Sequence, residues 1–379
     1  MLDRLPRGVV LKYYLYQATT AAGFVVPIWA VYLLDNGLGY TQLFVLDAAW
    51  MAATVVAETP TGWIGDRIGR RRSIVVSLLV IAGSLVAFTV AETFPAFLLL
   101  YVTWAVGQTF RSGSDVAWLY DALSERVGEE EFARVRGRGT SVLLVTSGVT
   151  SVVGGYLAEI RLAIPFLFTA GASVLGIGVV ATFPAAGEGD GDEPFGLRDG
   201  VAVIRDRLLE PPLRSFVLYL AAFYGVVWSV GTYIQPVGLQ AGLSTGELGW
   251  VFGGFTAASA VVSYFSGTIK DRIGLRYWFA VVPLVVGALF VLGPLLPVLF
   301  MIPVFFVMRV AMFTTRPLQQ QYINDHTDSE GRATVLSAVT MLFSLVSIPV
   351  KLVTGPLGDR FTAVGAISVL GGGMLVALV

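Results

Sequence analysis

Twelve apolar stretches, each able to cross about 30 Å of hydrocarbon at about 1.5 Å per residue, restrict what this 379-residue chain can fold into. They fall near residues 9–34, 40–61, 73–91, 94–117, 139–159 and 162–183, and again near 213–235, 244–265, 277–296, 298–320, 333–355 and 362–379. In lipid every backbone polar group needs a partner within the protein, which a helix supplies from its own segment. The expectation is therefore an all-α membrane protein with 12 transmembrane helices, here called spans 1 to 12. Composition agrees: 55% of the residues are hydrophobic, 13% are charged and the mean hydropathy is +0.76, leaving too few charges to coat a water-soluble domain.

Several function classes drop out on residue types alone. The chain has no cysteine and a single histidine, His326, so no metal site and no cofactor is expected. A net charge of -1 leaves no basic face for nucleic acid. Neither a nucleotide-binding loop nor a His/Asp/Ser constellation is evident, and an enzyme is not expected.

Orientation follows from basic residues, which are retained on the cytoplasmic side. With the N-terminus inside, 19 of the 25 fall in cytoplasmic segments, among them Arg4, Arg7 and Lys12, the run Arg67, Arg70, Arg71 and Arg72, and Arg134, Arg136 and Arg138. Only Arg161 and Arg360 face outward, while Arg111, Arg309, Arg316 and Lys351 lie within spans. The expected location is the cell membrane, multi-pass, with a cytoplasmic N-terminus. The first apolar run has no small-residue cleavage site and is expected to stay as an uncleaved span. The sequence ends at Val379 inside the last span without a basic tail, so a trimmed C-terminus is expected.

The expected organisation is a six-helix bundle over 1–183, a cytoplasmic linker over 184–212 and a second six-helix bundle over 213–379. Within the linker, Leu197, Val201, Ile204 and Leu208 recur at helical spacing, which predicts a short amphipathic helix on the membrane surface.

The halves repeat. A shift of 205 residues, without gaps, pairs Gly62 with Gly267, Asp66 with Asp271, Arg67 with Arg272, Gly69 with Gly274 and Arg71 with Arg276. It also pairs Gly37-Leu38 with Gly242-Leu243, Leu43 with Leu248, and Arg111 with Arg316. Two like-oriented six-helix halves are a transporter plan.

On these residues the chain resembles the major facilitator superfamily. "GWIGDRIGRRRSI", from Gly62 to Ile74, is similar to that family's motif A between helices 2 and 3, and the weaker copy lies where the family places it, between helices 8 and 9. The resemblance implies two pseudo-symmetric six-helix bundles and a cytoplasmic latch. Asp66 would accept hydrogen bonds from the start of span 11, near Arg332 and Ala333, and Arg70 would pair with Asp121. That would account for three arginines at a helix N-terminus, where cations are electrostatically misplaced. Helices 2 and 11 pack together in the family, so Asp47 and Lys351 are expected to bridge and close the outer side.

Ionisable groups at membrane depth cost about 2.5–3.5 kcal/mol each on insertion scales and are functional candidates. Arg111 and Asp115 are four apart on span 4, which makes either a self-neutralising helical pair or a functional one. The family's helix-4 arginine belongs to an R-x-x-x-G-x-G pattern, and this sequence departs from it, because Gly113 follows Arg111 at two. Glu58, two turns before Asp66, completes a candidate proton-coupling cluster with Arg111 and Asp115. Candidate cavity residues are Tyr13, Gln17 and Thr20 on span 1, Tyr224 and Trp228 on span 7, and Arg309, Arg316 and Gln319 on span 10. Aromatics at such spacing also suit packing.

The reading is a monomeric secondary transporter working by alternating access, in contact with membrane lipids, that exports a small lipophilic molecule against protons or sodium. The alternative is uptake or efflux of a small polar or anionic metabolite. The remote alternative is a non-transporting sensor on the same scaffold, which an appended soluble domain would favour.

Overall fold

The computed structural model describes residues 7–124, 129–184, 201–208, 213–327 and 332–378, and within them a helix stands at each of the twelve expected spans. Eight helices are individually long and apolar enough to cross a membrane: Tyr40–Ile68, Arg70–Phe88, Glu131–Ile160, Ile164–Ala181, Leu213–Gln240, Leu275–Leu295, Val298–Asp325 and Thr334–Phe361. Span 8 is Thr245–Ile273 and span 12 is Ala363–Leu378. The remaining two are broken. Span 1 is Arg7–Thr19 followed by Trp29–Asp35, and span 4 is Phe94–Arg111 followed by Ser114–Ser124.

Each break has a local cause. Pro27 lacks an amide hydrogen and biases the residue before it away from helix, just where the second piece of span 1 must start. The unwound stretch is tied down by span 5 (Glu129–Ile160): a Cβ on Gly23 would sit 2.2 Å from the Ser147 carbonyl oxygen, and one on Gly154 would sit 2.2 Å from that of Phe24. Irregular backbone at membrane depth persists where protein or a cavity surrounds it. In span 4 the break falls on Gly113, at φ 81°, a conformation that side-chain-bearing residues rarely adopt.

The 205-residue repeat is visible in the backbone. Tyr40–Ile68 and Thr245–Ile273 begin and end 205 residues apart. The positive-φ glycines Gly37 and Gly69 recur as Gly242 and Gly274. Turn hydrogen bonds recur with them, for example Leu38 N to the Leu33 carbonyl and Leu243 N to that of Gly238.

Packing groups the chain differently from its linear halves. One compact unit holds Met1–Pro27 and Ala53–Pro194; the other holds Ile28–Ala52 and Phe195–Val379. The first has a core in which Trp118 stacks on Phe183 at 3.7 Å, with Tyr13, Tyr16, Leu78 and Val180 around them. The core of the second runs along spans 7 to 12 and includes Phe44. Residues 28–52, expected within the first bundle, thus pack with the second.

Two expectations change in detail. Residues Gly62–Ile68 are the last turns of the span 2 helix, not a loop, and the connection to span 3 is the single residue Gly69. In the linker, the described residues 201–208 end in a π-helical turn, Ile204–Leu208. Ile204 and Leu208 are buried in the second unit's core rather than laid on a surface, while Val201 is exposed and Leu197 lies outside the described residues.

Candidate functional site

At the arginine-rich turn, Gly69 adopts φ 88° and ψ 142°, a region essentially reserved for glycine, so that span 3 (Arg70–Phe88) begins at the next residue. Arg70 Nε lies 3.1 Å from an Asp121 carboxylate oxygen. The Arg71 guanidinium donates to the Ala181 carbonyl, and Lys12 Nζ donates at 2.6 Å to that of Thr182. Both carbonyls belong to the end of span 6 (Ile164–Ala181), where carbonyls lack helical partners and the helix dipole favours cations. The arginines at the foot of span 3 thus serve neighbouring elements. Arg67 stacks on Trp63 at 3.6 Å, and Asp66 and Arg72 are exposed. Gly62 faces open space. In the second copy Gly274 repeats the backbone at φ 79° and ψ 146°, and Asp271 and Arg272 are exposed. Gly267 sits in a helical stretch whose side-chain surroundings fall outside the described residues.

Three of the ionisable candidates meet at the break in span 4. Ser112, in the break, donates to Glu58 at 3.3 Å. Arg111 ends the first piece and donates to Gln108 at 2.7 Å; Asp115 opens the second and accepts from the Val116 amide at 2.7 Å. The spacing argument for an intrahelical Arg111–Asp115 pair assumed a continuous helix. Gly113 interrupts it, and among the described residues no ion pair joins the two. Asp115 is instead faced by Arg111, Tyr13 and Arg136. Tyr16, which the sequence reading passed over, is fully buried with its hydroxyl beside Arg111 and Asp115.

At the other end of span 2, within the second unit, Lys351 Nζ donates to Asp47 at 2.8 Å and Thr232 donates to the same carboxylate oxygen at 2.9 Å. Lys351 is buried and Asp47 half-buried, the side chains 7% and 14% exposed, so the pair is largely shielded from water and salt. Two further polar residues work here. Gln235, 1% exposed, accepts from the amides of Ala30 and Val31 at 2.8 and 3.3 Å, where the second piece of span 1 begins. Asp359 accepts from the amides of Tyr40 and Thr41 at 2.9 and 3.0 Å, one to each carboxylate oxygen, at the start of span 2. Sequence reading did not single out Asp359.

The remaining candidates divide by burial. Tyr13 packs in the first core against Gly139, where a Cβ would come within 2.4 Å of its ring. Gln17 is buried and Thr20 donates to the Gln17 carbonyl at 3.0 Å within its own helix. Tyr224 is buried between Trp228 and Phe343. Span 10 differs: among the described residues Arg309 Nε is buried without a hydrogen-bond partner, its guanidinium 5.6 Å from the Phe255 ring centre, and the Gln319 side-chain oxygen is also buried and unsatisfied. Arg316, one half-repeat on from Arg111, is exposed on the same helix.

The family model described as Major Facilitator Superfamily matches residues 16–349. An uncharacterized MFS-type transporter of Bacillus subtilis (strain 168), YxaM, is 26% identical over 247 residues, covering 62% of this chain and 60% of the relative. The quinolone resistance protein NorA of Staphylococcus aureus (strain MRSA252) is 23% identical over 166 residues, 44% of this chain and 42% of the relative. The chain therefore spans less than two thirds of each of these relatives. Among solved structures, a nucleoside transporter NupG variant superposes with a TM-score of 0.80 at 11% identity, covering 98% of both chains. A D-xylose-proton symporter superposes with a TM-score of 0.72 at 14% identity, covering 100% of this chain and 96% of its own. At such identities the likeness is one of fold.

Proposed function

Because the chain belongs to the Major Facilitator Superfamily, a family of multi-pass membrane transporters rather than enzymes, we propose that it exports a small, lipophilic molecule in exchange for protons by alternating access. The observation that carries this reading is the convergence of Glu58, Arg111 and Asp115 on the break in span 4. Carboxylates next to a guanidinium hold or release a proton according to how close the cation comes, and a broken helix lets that distance change. The relation to a quinolone resistance protein makes a quinolone the first substrate to try. Asp66, Arg70 and Asp121 are proposed as parts of a cytoplasmic latch, and Asp47 with Lys351 as the outer gate. The orientation assumed is the one the basic residues favour, with the arginine-rich turn in the cytoplasm.

The test uses purified protein in vesicles with an acidic interior. Protons leaving through the transporter should drive accumulation of norfloxacin, and Glu58→Gln or Asp115→Asn should abolish the part that depends on the gradient. Accumulation that persists unchanged when both the proton and the sodium gradient are collapsed would overturn proton or sodium exchange.

The second reading, a polar or anionic substrate, is favoured by Arg309, whose buried Nε lacks a partner. A buried guanidinium nitrogen without a partner is costly, and an anionic ligand would compensate it. In the same vesicles this reading expects carboxyfluorescein, not norfloxacin, to be carried, and Arg309→Gln to stop it.

A further inference from the structure

The motif at the cytoplasmic end of span 2 has a second relative besides the one 205 residues on. Thr61, Gly62, Gly65, Asp66 and Arg67 recur, in the same spacing, as Thr354, Gly355, Gly358, Asp359 and Arg360 at the far end of span 11 (Arg332–Phe361). The shift is not that of the half-repeat, and it carries the motif to the opposite side of the membrane.

There the structure displays what the motif does. The Asp359 carboxylate takes the amides of Tyr40 and Thr41, two of the four that a helix leaves without partners at its start. The glycines allow the approach: a Cβ on Gly355 would stand 2.7 Å from the Thr41 Cα, and one on Gly358 would stand 3.0 Å from the Tyr40 ring. Tyr233 closes the contact from span 7, donating to the Thr354 carbonyl at 2.8 Å and packing on Tyr40 and Phe44. A carboxylate facing a helix N-terminus is favoured both by hydrogen bonding and by the helix dipole.

We propose that Asp359 is the positioning residue of an outer latch, a motif-A-like Gly-x-x-Gly-Asp-Arg cap that holds the start of span 2 and must let go each time the transporter opens outward. Lys351, Asp47 and Thr232 lie on the same two helices and span 7 about two turns deeper, so the cap and the ion pair release together. Gln235 does for the second piece of span 1 what Asp359 does for span 2. The inference rests on the transporter reading but needs neither a substrate nor a proton gradient for its test.

The chain has no native cysteine, so one reporter can be placed cleanly. Ala48→Cys sits on span 2 beside Asp47, 4% exposed. In membranes, a membrane-impermeant thiol reagent added from outside should label it slowly. Asp359→Ala should raise that rate about tenfold. Asp359→Asn, which keeps an oxygen acceptor, should fall between the two. A merely structural Asp359 would lower the melting temperature without this graded rise. If Asp359→Ala does not fold, Asp359→Asn decides alone. Labelling at the parent rate in a folded Asp359 variant overturns the proposal.

Discussion

At one end of the Tyr40–Ile68 helix two backbone amides point at the Asp359 carboxylate and a buried Asp47–Lys351 pair lies just beneath. At the other end Asp66, in the same local sequence, stands exposed on the last turn, and the nearest ion pair, Arg70–Asp121, joins neighbouring spans of one unit. One motif thus caps the start of a helix, while the other lies exposed on that helix's last turn. In the proposed account a helix that takes part in both gates is held at one end at a time: if both ends were held at once the helix could not move, and if neither were held nothing would favour either state.

The largest effect should come from the buried pair. Lys351→Met strands the Asp47 carboxylate, and breaking one side of a buried pair costs about 3–5 kcal/mol, so outside labelling of Ala48→Cys should rise by roughly 100-fold or more. Adding Asp47→Asn should recover most of that change; a double variant as open as the single one would mean that the charge is not what matters. Next come the two glycine turns. Gly69→Ala and Gly274→Ala force alanine into a conformation that costs about 1–3 kcal/mol, and the melting temperature should drop by similar amounts in each, since the two backbones match within a few degrees. Unequal losses would show that the repeat is not energetically symmetric. Gln235→Leu leaves the Ala30 and Val31 amides without their acceptor, a loss of about 1–3 kcal/mol that should appear as faster hydrogen exchange at the start of Trp29–Asp35. The smallest effect is expected at Arg70→Gln. A partly solvated pair is worth roughly 0–1 kcal/mol, so the melting temperature should hardly move while inside accessibility shifts slightly.

Much of this was legible in the amino-acid sequence, for physical reasons that differ by region. Span number and the repeat follow from apolar length and from glycines that must adopt positive φ, as Gly37, Gly69, Gly242 and Gly274 do. The approach of Lys351 to Asp47 could be anticipated from the family resemblance, which implies that helices 2 and 11 pack together, and from the need of charges at membrane depth for partners. Helix breaks were not legible. Gly113 reads as one more small residue in an apolar helix, and only the backbone reveals that it separates Arg111 from Asp115. The role of Gln235 was not legible for a related reason: its partners are backbone amides exposed by the break in span 1, and periodicity carries no sign of them. Asp359 had a signal, the recurrence of Thr61 to Arg67 at Thr354 to Arg360, but a search at the half-repeat shift misses it.

The most direct test of a latch that must open is to prevent it from opening. Thr232 and Asp47 are in hydrogen-bond contact, so Thr232→Cys with Asp47→Cys should form a disulfide on oxidation in this otherwise cysteine-free chain. Gradient-driven norfloxacin accumulation in vesicles should stop when the pair is oxidised and return on reduction; accumulation that continues at the reduced-state rate in fully oxidised protein would contradict the account.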